Sequence, residues 1–144
     1  MITLRKLLAP GKVVAHVDAS TYLDALSALL ETCRGAGGGC DWDALGAEIM
    51  AHEERTPSLV GNGVAIPHRR TGLASRIDCR LATAHPPLAL LDGGGRRLAE
   101  PVAIVALFAV PVQLSAEYLQ IVGSLARALQ NETVRGRMVA ADTA

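Results

Sequence analysis

The sequence predicts an α/β sandwich, a sheet covered by helices on both faces. Three observations predict it. Val102 to Val110 is a nearly unbroken apolar run of the kind buried on both faces of a sheet. Helical periodicities stand on either side of the strand-like segments, which places helical pairs at both ends of the chain. At 144 residues the chain is one domain by length, spanning 1–144, and should bury about two-thirds of the surface its unfolded form exposes. Aromatics are only 3% of a chain that is half apolar, so its core is built from Ala, Leu, Val and Ile.

Residues 3–8 could form a helical turn before the Pro10-Gly11 break, and Val13 to Val17 has the β-branched character of a short strand. From Thr21 to about Arg34, Leu23, Leu26, Leu29, Leu30 and Cys33 recur at helical spacing, with Thr21 and Asp24 as a capping box. Gly35 to Gly39 ends this helix as a connector. Asp41 then caps a second helix carrying Trp42, Leu45, Ile49 and Met50 inward and fading into His52-Glu53-Glu54-Arg55. Strands are expected at Val64–Ile66, Arg80–Ala84 and Val102–Val110, with Asp92 to Gly95 as a turn that lets the last two lie near each other. After Pro111, Leu119, Val122, Ala126 and Leu129 line one face of a helix capped by Ser115. Asn131 starts a short final helix with Val134 and Met138 inward.

Charge and composition narrow the function classes. Lys plus Arg and Asp plus Glu number 14 each, which removes any broad drive toward nucleic acid or an anionic membrane. Met1 to Pro10 has no apolar stretch long enough for a signal peptide, and no segment approaches a membrane span, so a soluble, cytoplasmic protein is expected. Cys33, Cys40 and Cys79 are odd in number and lack CxxC spacing, as befits reduced core residues. Neither glycine-rich piece fits a nucleotide loop: Gly35 to Gly39 lacks a following Lys-Ser/Thr, and Gly93 to Gly95 precedes Arg96-Arg97. His16, His52, His68 and His85 show no HxxxH or HExxH spacing, and there is no GxSxG elbow. No metal or cofactor is indicated by these patterns.

Gly61-Asn62-Gly63-Val64-Ala65-Ile66-Pro67-His68 is the most purposeful stretch. Asn62 between two glycines permits positive φ and tight turning, which could gather exposed N–H groups near the loop. Pro67 pushes Ile66 toward extended geometry and ends the strand in a rigid presentation of His68. With an ordinary pKa near 6.5, a histidine presented in this way is largely neutral at cytosolic pH and can accept a phosphoryl group from another phosphohistidine.

The octapeptide GNGVAIPH resembles the phosphorylation motif of the type 2 IIA domains of the bacterial phosphotransferase system, the fructose/mannitol and nitrogen-regulatory group. The leading helices, the strands beyond the motif and the terminal helix pair extend the resemblance over nearly the whole chain. The resemblance implies a mixed sheet flanked by helices, His68 as phosphoryl acceptor, and an HPr-like carrier as donor, with no cofactor. It also exposes departures. About sixteen residues before the histidine the family places an arginine in an Arg-Glu pair, whereas here His52 precedes Glu53. Arg55, three residues on, could reach the same volume on a helix. The family's second histidine corresponds to Tyr118, which can donate one hydrogen bond but cannot become cationic near neutral pH. Arg69 and Arg70 follow the histidine where a small residue is usual, either restoring the lost charge through charge-assisted contacts or standing as a solvated pair.

The expected function is a standalone phosphocarrier or phosphorylation-dependent regulator that regulates an unidentified protein partner or passes phosphate to it. Asn62, Gly63, Arg55, His52, Tyr118 and Arg69 are the candidate phosphate-site supports around His68. The alternative is an unphosphorylated binding module of the same fold that senses a partner or a small anion. A histidine- or metal-dependent hydrolase would need a carboxylate beside His68, with Glu53, Glu54 and Asp78 as candidates.

Overall fold

The computed structural model describes residues 8, 10–34, 40–91, 95–97 and 100–141. The expected turn over residues 3–8, except Leu8, the Gly35 to Gly39 connector and Asp92 to Gly94 lie outside them. The expected architecture is present: a mixed six-stranded sheet with two helices on each face.

The strands are β1 (Val13–Val14), β2 (Leu59–Gly61), β3 (Val64–Ala65), β4 (His68–Thr71), β5 (Asp78–Leu88) and β6 (Val102–Pro111). The apolar run of β6 runs through the middle of the sheet, where alternate side chains meet both helical layers, so every residue from Ile104 to Pro111 is buried. β5 lies antiparallel to β6 on one side and carries β1 parallel at its outer edge. On the other side β3 and β4 both pair parallel with β6, and β2 closes that edge antiparallel to β3.

One expectation changes here. Pro67 does not end the strand; β3 and β4 form a single line interrupted only at Ile66-Pro67. Val64 faces Ile104 and His68 faces Phe108 in one unbroken register. Proline lacks an N–H but keeps its carbonyl, and Pro67 O accepts from Phe108 N at 2.9 Å, so the ladder survives the gap.

The helices are α1 (Tyr22–Cys33), α2 (Trp42–Arg55), α3 (Ser115–Leu129) and α4 (Glu132–Ala140). Thr21 caps α1 by accepting from Asp24 N at 3.2 Å, and Asp41 and Asn131 cap α2 and α4 in the same way. Leu26 and Leu29 of α1 and Leu45 and Ile49 of α2 pack against Ala82, Val105, Leu107 and Ala109. Tyr118, Ile121 and Leu125 of α3 cover Val64, Cys79, Leu81, Ile104 and Phe108 on the opposite face.

Two details of α3 depart from the sequence expectation. Its buried face is Tyr118, Ile121, Leu125 and Leu129, one residue out of phase with the Leu119, Val122, Ala126 stripe, and Leu119 is exposed. Both stripes are apolar, so periodicity alone did not choose between them. Ser115 is the first helical residue rather than the cap, and its hydroxyl donates to Val112 O at 2.8 Å.

The turn between β2 and β3 explains its glycines. Gly61, Asn62 and Gly63 all have positive φ, at 90°, 57° and 73°. A Cβ on Gly63 would stand 3.3 Å from Pro101 O at the entry to β6. Gly63→Ala is therefore expected to destabilise the protein by about 1–2 kcal/mol through left-handed strain, seen as a lower urea midpoint; an unchanged midpoint would contradict this account of the turn.

Candidate functional site

His68 begins β4, exposed, at the point where the β3–β4 line resumes. Its Nδ1 lies 2.9 Å from Ile66 O. A carbonyl can only accept, so this contact assigns the hydrogen to Nδ1 and leaves the lone pair of the neutral ring on Nε2. Pro67 between the two residues holds the chain in the geometry that closes this bond.

The ring faces an open cavity of about 310 Å³ lined by Ser58, Leu59, Val60, Ile66, His68, Tyr118 and Val122. Tyr118 projects from the first turns of α3, its ring centroid 5.5 Å from that of His68. Phe108, fully buried on β6, meets Tyr118 edge-on at 5.3 Å and supports it from below. Burial pushes the Tyr118 hydroxyl up to about 12, with Arg70 pulling in the opposite direction. The phenol therefore stays protonated at neutral pH, an available donor. It has no hydrogen-bond partner among the described residues.

Behind this cavity, Glu53 anchors the segment that positions His68. It is 1% exposed and accepts from Tyr22 Oη, from Ser58 N at 2.8 Å, from Ser58 Oγ at 2.7 Å, and lies 2.9 Å from His52 Nδ1. Ser58 in turn accepts from Ile66 N at 2.8 Å through its carbonyl. A chain of contacts thus runs from the end of α2 through Ser58 and Ile66 to the His68 ring.

The other expected supports are distributed differently. His52 is turned to Glu53 and does not line the cavity. Arg55 is exposed at the end of α2, with no hydrogen-bond or ion-pair partner among the described residues, and does not line it either. Asn62 and Gly63 lie beside Pro101 and Ala103, whereas His68 pairs with Phe108. Five strand residues separate the two places, about 16 Å at 3.3 Å per residue, so these residues shape the hairpin rather than meet the imidazole. Arg69 points to the α2 face, its Nε 3.1 Å from Glu48 Oε2. Strand alternation puts Arg70, not Arg69, on the His68 side.

None of the carboxylates considered for a hydrolase lines the cavity. Glu53 is occupied by its four partners, Glu54 borders a different cavity beside Tyr22, and Asp78 pairs with Lys12 at 2.9 Å. Among the described residues no three His, Cys, Asp or Glu side chains converge as metal ligands, and no helix is long and apolar enough to cross a membrane.

Sequence reading missed Ser58, Phe108 and the burial of Glu53. Glu53 was detectable: it falls on the same helical stripe as Trp42, Leu45, Gly46 and Ile49, a charged residue where an apolar one is due. Ser58 carried no such signal, because its role depends on Glu53 reaching it across the turn.

Comparison with known proteins places the fold among described ones. The chain is 28% identical over 146 residues to a nitrogen regulatory protein of Pseudomonas aeruginosa, covering 100% of this chain and 91% of that protein. In fold it is similar to the nitrogen regulatory protein IIA-Ntr of Neisseria meningitidis, with a TM-score of 0.79 and 17% identity over 96% of this chain and 91% of that one. The IIA mannitol structure of Escherichia coli matches with a TM-score of 0.75 and 19% identity over 94% and 92%. The family model described as "Phosphoenolpyruvate-dependent sugar phosphotransferase system, EIIA 2" matches residues 6–144, nearly the whole length, and the chain belongs to that family.

Proposed function

We propose that this protein is a IIA-type phosphocarrier with a regulatory role, in which His68 takes a phosphoryl group on Nε2 from the phosphohistidine of an HPr-like protein. The observation that carries the proposal is the His68 Nδ1 to Ile66 O contact at 2.9 Å, which leaves Nε2 as the nucleophilic nitrogen in front of an open cavity. In the transfer, the P–N bond of the donor breaks as the P–Nε2 bond forms, and the donor nitrogen recovers the electron pair. Nδ1 keeps its hydrogen on Ile66 O, so the ring is held while its far side reacts. The step uses groups already in place and needs no cofactor.

The surroundings suit a protein donor. Leu59, Val60 and Leu119, at 41%, 54% and 57% exposure, are large apolar side chains left open on β2 and α3, the elements that frame the cavity. Similarity to a nitrogen regulatory protein along the whole chain supports regulation of a protein target. The added charge would change which partner binds this face.

The test is incubation of the whole protein with phosphoenolpyruvate, enzyme I and the HPr-type carriers of the parent organism, followed by nitrogen-resolved NMR. A phosphohistidine at Nε2 is expected. Failure of every carrier to transfer phosphate refutes the proposal. Tyr118 in the place of the family's second histidine supports a second reading, an unphosphorylated binding module. Pulled-down partners that are indifferent to His68→Ala and to phosphorylation would decide for it.

A further inference from the structure

A phosphoryl group on His68 Nε2 carries close to two negative charges and needs cationic or hydrogen-bond donors at its oxygens. The side chains that could meet it are few. His52 is committed to Glu53, Arg69 to Glu48, and Arg55 lies off the cavity. Arg70 does not line the cavity either, but its place in the sheet sets it apart from all three. It is exposed, it has no carboxylate partner among the described residues, and it stands two residues after His68 on the same side of β4, about 6.6 Å away along the strand.

The frame around Arg70 and His68 is rigid. Both residues belong to a strand paired in register with β6, His68 with Phe108 and Arg70 with Val110. Phe108 also supports the Tyr118 ring, so Tyr118 is set by the same strand that sets the histidine. The charge of Arg70 reaches Tyr118, whose hydroxyl has no partner of its own.

We propose that Arg70 and Tyr118 together form the phosphoryl-binding clamp of this protein, with the guanidinium on two oxygens of the phosphoryl group and the Tyr118 hydroxyl on one. The clamp puts its positive charge on strand β4, two residues from the nucleophile. It rests on the reading of His68 as phosphoryl acceptor and names how that site holds its charge.

Phosphoramidate, which phosphorylates histidine without any protein donor, separates the two ideas. The rate of labelling at His68 and the lifetime of the phosphohistidine are followed by phosphorus NMR in the full chain. Arg70→Ala is expected to slow labelling by about ten- to hundred-fold, the loss of charge-assisted hydrogen bonds, and Tyr118→Phe by about two- to ten-fold, the loss of one neutral donor. Arg70→Lys should recover part of the rate because it keeps a point charge without the fork. Arg69→Ala, which breaks only an exposed ion pair, should stay within about two-fold of the parent. Melting temperatures of all four variants show that they are folded. Labelling of Arg70→Ala at the parental rate and lifetime overturns the clamp, as does an equal loss in Arg69→Ala or an absence of labelling at His68 in the parent. Normal clamp behaviour with phosphoramidate but no transfer from any HPr-type carrier would leave the clamp standing and refute the phosphocarrier role.

Discussion

In the His68→Ala protein, phosphoryl incorporation from a phosphohistidine donor is expected to fall to background while the fold is kept. The argument for the first half is chemical. His68 is the histidine whose Nε2 is set free by a bond at Nδ1 in front of an open cavity, and alanine has no nucleophile to put there. The second half follows from exposure. His68 is exposed, and its hydrogen bond to Ile66 O is worth about 0.5–1.5 kcal/mol at most, a change of a few degrees in melting temperature for a domain of this size. His52→Ala and His85→Ala serve as controls and should both take label, because neither ring lines the cavity. Label that persists in His68→Ala would remove His68 as the acceptor.

Glu53→Ala should produce the largest loss of stability, about 3–5 kcal/mol by analogy with breaking a buried charged network. Truncation leaves Tyr22 Oη, Ser58 N and Ser58 Oγ without their acceptor. Each such orphan costs about 1–3 kcal/mol when buried, and the total would be a large share of the 5–15 kcal/mol typical of a domain. The variant should also slow phosphorylation. Ser58 holds Ile66, and Ile66 O holds the His68 ring, so freeing Ser58 loosens the nucleophile. Urea titration measures the first effect and the labelling rate at a temperature where the variant is folded measures the second. Unfolding at the parental midpoint would show that Glu53 is not the anchor.

The legibility of the chain varied with how local the responsible interaction is. Thr21, Asp41 and Asn131 were recognisable caps because each satisfies an N–H three residues ahead, within the segment itself. The stripe of α1 was legible for the same reason, although Tyr22 and Ala25 join Leu26, Leu29 and Leu30 on its buried face while Leu23 is only partly covered. In α3 two apolar stripes compete, and the sheet selects the one containing Tyr118 because Phe108 offers its ring a place to pack. β4 was missed because His-Arg-Arg-Thr has no apolar alternation. It is a strand because β6 supplies the partner.

The sequence by itself determined the sandwich, the caps of α1, α2 and α4, the left-handed hairpin turn and the histidine that the motif presents. Periodicity, capping and φ preference are properties of neighbouring residues, so they are written in the chain at short range. Only the tertiary structure decided which ring nitrogen is free, that Glu53 rather than the Asn62-Gly63 turn supports the site, and that Arg70 shares the side of His68 while Arg69 turns to Glu48. Those choices depend on strand register and on contacts between segments far apart in sequence. A one-residue change of register or helical phase reverses them, and the packing of β4 against β6 and of Tyr118 on Phe108 is what excludes the reversal.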